Sequence, residues 1–158
     1  MIDIVNIRSL SIFKGMNDTQ YKQVRALMEN KIFSAGETIF TQNSEAVNLY
    51  ILIKGKVAII YKPYDGPPLN ITSILPGQVF GWSAVLGRKN YTSGTLALEE
   101  SVALCISRSN LRKICKLFDD TGIIFLEEIT ANVAERLNQT NDNFVSVLSL
   151  SIEPNSEG

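Results

Sequence analysis

Residues 31–107 are cut by glycines into short β-rich runs, and that punctuation constrains the fold more than any other feature of the chain. Ala35-Gly36-Glu37 separates Ile32-Phe33 from Thr38-Ile39-Phe40. Lys54-Gly55-Lys56 joins the runs 49–53 and 57–61 in the manner of a hairpin. Asp65-Gly66-Pro67-Pro68 marks a loop tip, after which 71–75, 95–98 and 102–106 read as further strands. Many short strands at this spacing imply a sandwich, a jelly roll or a β-roll.

Helices flank the strands. Asn17-Asp18-Thr19-Gln20 has the form of a capping box, with Met16 and Tyr21 placed as a hydrophobic staple. Tyr21, Val24, Leu27 and Met28 then share one helical face, and a short apolar segment at 10–13 adds a turn against the sheet. Helical period returns after Arg108, where Leu111, Ile114, Cys115 and Phe118 make a short amphipathic helix. Thr121 is placed to cap a longer one, whose seam is Leu126, Ile129, Val133 and Leu137. That seam either covers its own core or pairs with a twin in a homodimer. The expected end of this helix is near Thr140. Beyond it Phe144 continues the seam, while Val145, Val147, Leu150 and Ile152 alternate with serines as a strand would. The pattern thus divides into a domain at 1–140, with strands over about 31–107 and helices over about 109–140, and a tail at 141–158.

Composition removes several function classes. With 15 basic and 16 acidic residues the net charge is −1, which offers little to replace the counterions of a nucleic acid. The chain has no histidine, which removes imidazole-based triads and most zinc, iron and copper sites, so metal-holding jelly-roll enzymes are disfavoured. No metal and no cofactor are expected. Glu99, Glu100, Asp119 and Asp120 sit in turn-like contexts, and Glu127 and Glu128 point to different helix faces, so no paired acid and base is visible and no catalytic residue is assigned. Cys105 and Cys115 lie ten apart among apolar neighbours and read as buried free thiols. No apolar run approaches the roughly 20 residues that span a bilayer, and no signal peptide is visible. No membrane association is expected, and a cytoplasmic location is the expectation.

One stretch points to a ligand. Phe80-Gly81-Trp82-Ser83-Ala84 is followed by Tyr91-Thr92-Ser93-Gly94-Thr95. It stands in order with Phe13-Lys14-Gly15-Met16, with 35–40, with 49–57 and with Leu75-Pro76-Gly77-Gln78-Val79. Together these resemble the cyclic-nucleotide-binding domain family, over roughly residues 8–140, with the paired segments matching its phosphate-binding cassette. The resemblance implies a mainly β fold with flanking helices, a double-stranded β-helix or jelly-roll β-roll with an N-terminal helix and a C-terminal lid and dimerisation helix.

It also implies a ligand site at Phe80, Gly81, Trp82, Ser83, Ala84, Thr92, Ser93, Gly94 and Thr95, where backbone N–H groups at the start of a short helix suit an anion. The cassette departs from the family at two positions. Trp82 stands where the family has a glutamate for the ribose, and Thr92 where it has an arginine for the phosphate. A hydrogen bond to a charged group contributes about 1.5–3 kcal/mol, so losing both costs roughly two to four decades of affinity. Arg88 and Lys89, just ahead of the second segment, are candidates to supply the missing cation, and Trp82 either stacks on a purine or fills the vacated space. On the lid, Asn132, Arg136, Asn138 and Gln139 are polar candidates, with the helix rotation open.

The function so implied is a non-enzymatic regulatory module, its ligand a cyclic nucleotide or another phosphorylated or anionic small molecule coupled to movement of the lid helix. The alternative is a degenerate domain that binds no nucleotide and serves oligomerisation or a protein partner. Regulators of the catabolite-activator type carry a helix-turn-helix after the long helix. None follows here, so direct nucleic-acid binding is not expected.

Overall fold

The structure, a computed structural model, describes residues 7–152, with side chains over 7–138. Among the described residues eight strands form two four-stranded antiparallel sheets. The first has the order β1 (Glu29–Phe33), β8 (Ser101–Ser107), β3 (Asn48–Lys54), β6 (Val79–Phe80). The second has the order β2 (Thr38–Phe40), β7 (Gly94–Ala97), β4 (Val57–Tyr61), β5 (Leu69–Ile74). Strand alternation assigns the two faces of β3 to two cores. Leu49 and Ile51 join Ile12, Phe13, Leu104, Ile106 and Ile114 in a cluster beneath the helices. Tyr50 and Leu52 face the interior between the sheets, with Val57, Ile74, Phe80, Ala103 and Cys105. The expected jelly-roll architecture is thereby confirmed. Strand β6 escapes the sequence pattern because it is two residues long; it pairs Tyr50 with Phe80 and Ile51 with Val79.

Helix α1 (Asp18–Arg25) carries the capping box foreseen: Asn17 Oδ1 accepts from the Gln20 N–H at 2.8 Å and Gln20 Oε1 from the Asn17 N–H at 3.0 Å. It stops sooner than the apolar face suggests. The Leu27 and Met28 N–H groups bond back only three residues, to Val24 and Arg25, and this tightened turn delivers the chain into β1 while Met28 still reaches the core.

Helix α2 (Arg108–Leu117) is capped by Ser107, whose hydroxyl accepts from the Asn110 N–H. Helix α3 (Asp119–Ile152) differs from expectation at both ends. It begins at Asp119 rather than behind a Thr121 cap, since Asp119 and Asp120 supply the negative charge its first turn favours. Thr121 is buried, donating to Gln23 Oε1 at 2.6 Å. The helix also runs on through Ile152, past the end expected near Thr140, so residues 141–152 continue it rather than forming a strand. Residues 153–158 of the expected tail lie outside the described ones.

The seam question is settled in favour of the chain's own core for Ile129, which is buried, with Leu126 and Val133 packed beside it; Leu137 is half-exposed. Cys105 and Cys115 are both free, the first buried and the second partly so. Among the described residues no helix is long and apolar enough to cross a membrane.

Candidate functional site

Strand β6 ends in Gly81, whose φ of +76° turns the chain sharply into the single turn Trp82–Ala84. A Cβ at Gly81 would lie 2.9 Å from the Asn48 carbonyl oxygen, so glycine is required both for the turn and for the close approach to β3. The short helix that the cassette implied is a single 3₁₀ turn of three residues. Its Ala84 and Val85 N–H groups are already bonded to the Gly81 and Trp82 carbonyls. The anion-binding capacity expected of the backbone is correspondingly reduced.

The second segment is fixed by Tyr91, which the sequence placed at its start without assigning it a role. Its hydroxyl donates to the Asn48 carbonyl at 2.6 Å and accepts from the Asn48 N–H at 3.1 Å. Its ring stacks on Phe40 with centroids 3.7 Å apart. Burial pushes the Tyr91 phenol up to about 12 and the Cys105 thiol up to about 11, so both stay protonated at neutral pH and neither offers a nucleophile. Tyr91→Phe would strand both backbone groups of Asn48, and its expected cost is about 1–3 kcal/mol, read as a lowered urea midpoint with unchanged slope.

Between the cassette, the second sheet and α3 lies a cavity of about 320 Å³. Of the residues expected at the site, Phe80, Gly81, Trp82, Ser83, Thr92 and Ser93 line it. Ala84 does not; it packs with Ala46 and Tyr91. Gly94 and Thr95 are taken up by β7, Gly94 opposite Ile60 and Thr95 opposite Ile59 and Phe40. Trp82 is half-buried on the wall, packed against the core beneath the helices, and a cavity stays open beside its indole.

Arg88 and Lys89 do not line the cavity. Their backbone carbonyls are in use, Lys89's accepting from the Ala46 N–H and Arg88's from the Arg108 guanidinium. Arg108 itself was missed. Its Nε donates to the Ala84 carbonyl at 2.8 Å and its Nη2 reaches that of Ser83 at 3.5 Å, so the first residue of α2 grips three carbonyls of the cassette loop.

The cation that does line the cavity comes from α3. Arg136 is 5% exposed, and its guanidinium carbon lies 5.7 Å from the Trp82 ring centroid. Its Nη1 reaches Gln78 Oε1 at 3.4 Å, an oxygen that already accepts from the Leu75 N–H at 2.9 Å. Among the described residues its Nε finds no partner, although it is buried. Burial lowers its pKa from the ordinary arginine value. One turn earlier, Asn132 Oδ1 accepts from the Val79 N–H at 3.1 Å and ties α3 to β6. Asn138 is exposed, and the Gln139 side chain lies outside those described.

Residues 30–117, more than half of the chain, match the family model for the cyclic nucleotide-binding domain. The chain belongs to that family. This cyclic nucleotide-binding domain is 27% identical over 137 residues to a CRP-like cAMP-activated global transcriptional regulator of Mycobacterium tuberculosis, covering 87% of this chain and 59% of that one. The chain therefore spans less than two thirds of the length of that relative. Among solved structures it resembles the N-terminal domain of a transcriptional regulator from Streptomyces coelicolor, at 25% identity and a TM-score of 0.69, over 89% of this chain and 96% of that one. A cyclic nucleotide-binding domain from Methylobacillus flagellatus shares the fold at a TM-score of 0.83 and 13% identity, over 90% and 83% of the two chains.

Proposed function

We propose that this domain is a non-enzymatic regulatory sensor, in which a cyclic nucleotide or another phosphorylated or anionic small molecule enters the cavity and shifts α3 against the β-roll. The observation that carries this reading is Arg136, a buried guanidinium with an unpartnered Nε, delivered into an open cavity by the helix that would move. A buried arginine nitrogen without a partner is costly, and an incoming acceptor relieves it. Direct contact with nucleic acid forms no part of the proposal.

A second reading, an oligomerisation or partner module that binds no small molecule, draws support from Trp82 and Thr92 at the two positions where the family's charged contacts are expected. Calorimetric titration with cyclic AMP and cyclic GMP separates them. The expected result is weak binding, with a Kd at or somewhat below about 1 mM, since the two lost charged contacts correspond to roughly two to four decades. No heat at millimolar nucleotide, with Trp82 emission unmoved, removes the cyclic-nucleotide form of the sensor.

A further inference from the structure

We propose that the preferred occupant of the cavity is a flat aromatic carboxylate, its charge paired with Arg136 on α3 and its ring laid against the apolar wall. This rests on the sensor reading above and names the ligand class of the same site.

Three observations point to it. First, the walls are mostly apolar, and beside Arg136 their polar side chains are neutral hydroxyls, those of Tyr61, Thr72, Ser83, Thr92 and Ser93. Ile59, Ile71, Ile74, Val79 and Leu137 face the cavity alongside Phe40, Phe80 and Trp82. Tyr91 also borders it, but its hydroxyl is spent on Asn48. A ribose and a purine bring many donors and acceptors, each costly to bury unpaired. A flat hydrocarbon ring brings none.

Second, the charge count favours a single negative charge. Arg136 is the one formally charged residue among the described residues lining the cavity, and no carboxylate lies on its wall to neutralise it. The planar fork of a guanidinium matches a carboxylate in a two-point pair. The Nε that lacks a partner is one of the two nitrogens on an edge of that fork.

Third, the cation is held in place beforehand. The indole of Trp82 lies beside the guanidinium, and the long contact to Gln78 is shared with Leu75. Pairing with a ligand therefore costs little reorganisation. It would also tie α3 to the occupied cavity directly, so the residue that reads the charge is on the helix expected to report it.

The test is calorimetry on the full chain with 2-naphthoate, its neutral counterpart 2-naphthamide, and cyclic AMP, repeated with Arg136→Gln and Arg136→Lys. The expected result is sub-millimolar binding of 2-naphthoate, at least tenfold tighter than the amide and tighter than cyclic AMP. In Arg136→Gln that preference should fall to within twofold while the amide binds as before, and in Arg136→Lys part of it should remain. Each variant is checked for a cooperative thermal transition, and because Arg136→Gln removes an unpaired buried charge, its Tm is expected to hold or rise.

Equal affinity for the naphthoate and the amide overturns the assignment, as does a preference that survives Arg136→Gln. Binding of cyclic AMP without binding of the naphthoate overturns it too, but leaves the sensor standing. No heat with any of the three compounds removes the assignment together with the cyclic-AMP form of the sensor, and favours the partner module.

Discussion

Gly55→Ala is expected to cost about 2–5 kcal/mol, enough to leave the domain marginal. Gly55 turns the chain from β3 in the first sheet to β4 in the second with φ at +102°, a region that costs a residue with a Cβ about 1–2 kcal/mol. The space is also taken: a Cβ there would collide with the Ser101 Oγ and sit 2.6 Å from the Glu100 carbonyl oxygen and 2.7 Å from the Ser101 Cα. Two of the three are backbone atoms and cannot swing aside, and overpacking of this kind adds about 1–3 kcal/mol.

Ser101 cannot yield cheaply either. It is fully buried, its hydroxyl donates to the Glu99 carbonyl at 2.8 Å, and it accepts from the Lys56 N–H at 3.2 Å. The two turns, β3–β4 and β7–β8, are thereby locked together. Gly36→Ala provides the control, because φ there is +86° but nothing stands within 4 Å. It should cost only the backbone share. Urea unfolding followed by Trp82 emission reads both, and equal midpoint shifts for the two variants would show that crowding by Ser101 is not what matters at position 55.

The sheet-forming half of this domain was legible because its signals are local. A turn glycine, an alternating strand and a capping box each state their structure within a few residues, and β3 and Asn17–Gln20 behave as their sequence implies; Gly55 does make a turn, but the hairpin expected there is not formed, because β3 and β4 pair in different sheets. Strand β6 was not legible. With two residues it has no period, and it exists because Tyr50 and Ile51 offer a partner from a distant part of the chain.

The site divides in the same way. Glycine and small residues placed the cassette, and Phe80 to Ser83 with Thr92 and Ser93 do meet at one cavity. Arg136 could be named only as one of several polar residues on α3, since apolar periodicity cannot orient a helix by its polar positions. The apolar seam ran through Leu126, Ile129, Val133 and Leu137. The docked face is Phe125, Ile129, Asn132 and Arg136, rotated by about one residue, and two of its four members are polar. Arg108 left a fainter clue. A cation at the first position of a helix opposes the macrodipole, so it calls for another reason to be there, and the three cassette carbonyls are that reason.

Phe125→Ala is expected to cost about 3–5 kcal/mol and to lower the Tm by roughly 6–20 °C. The ring is fully buried and stacks at 6.5 Å on Phe13, itself fully buried and edge-on to Tyr21 at 5.1 Å. Its loss therefore opens a cavity where α3 meets the N-terminal turn and α1. The consequence should reach further along α3. Positions 125, 129, 132 and 136 step by four, three and four, which keeps them on one side of a helix that turns every 3.6 residues. Phe125 is the largest apolar anchor of that side, and Asn132 and Arg136 add polar contacts but little apolar area. Weakening the anchor should loosen the far end, so Trp82 emission should shift to the red as Arg136 and the solvent-excluding helix draw away from it. Any 2-naphthoate affinity should fall in step, although position 125 touches neither the cavity nor its ligand. A Tm drop with Trp82 emission and affinity both unchanged would mean that Asn132 and Arg136 seat the end of α3 by themselves. In that case the cavity, rather than the apolar core, would govern where the helix rests.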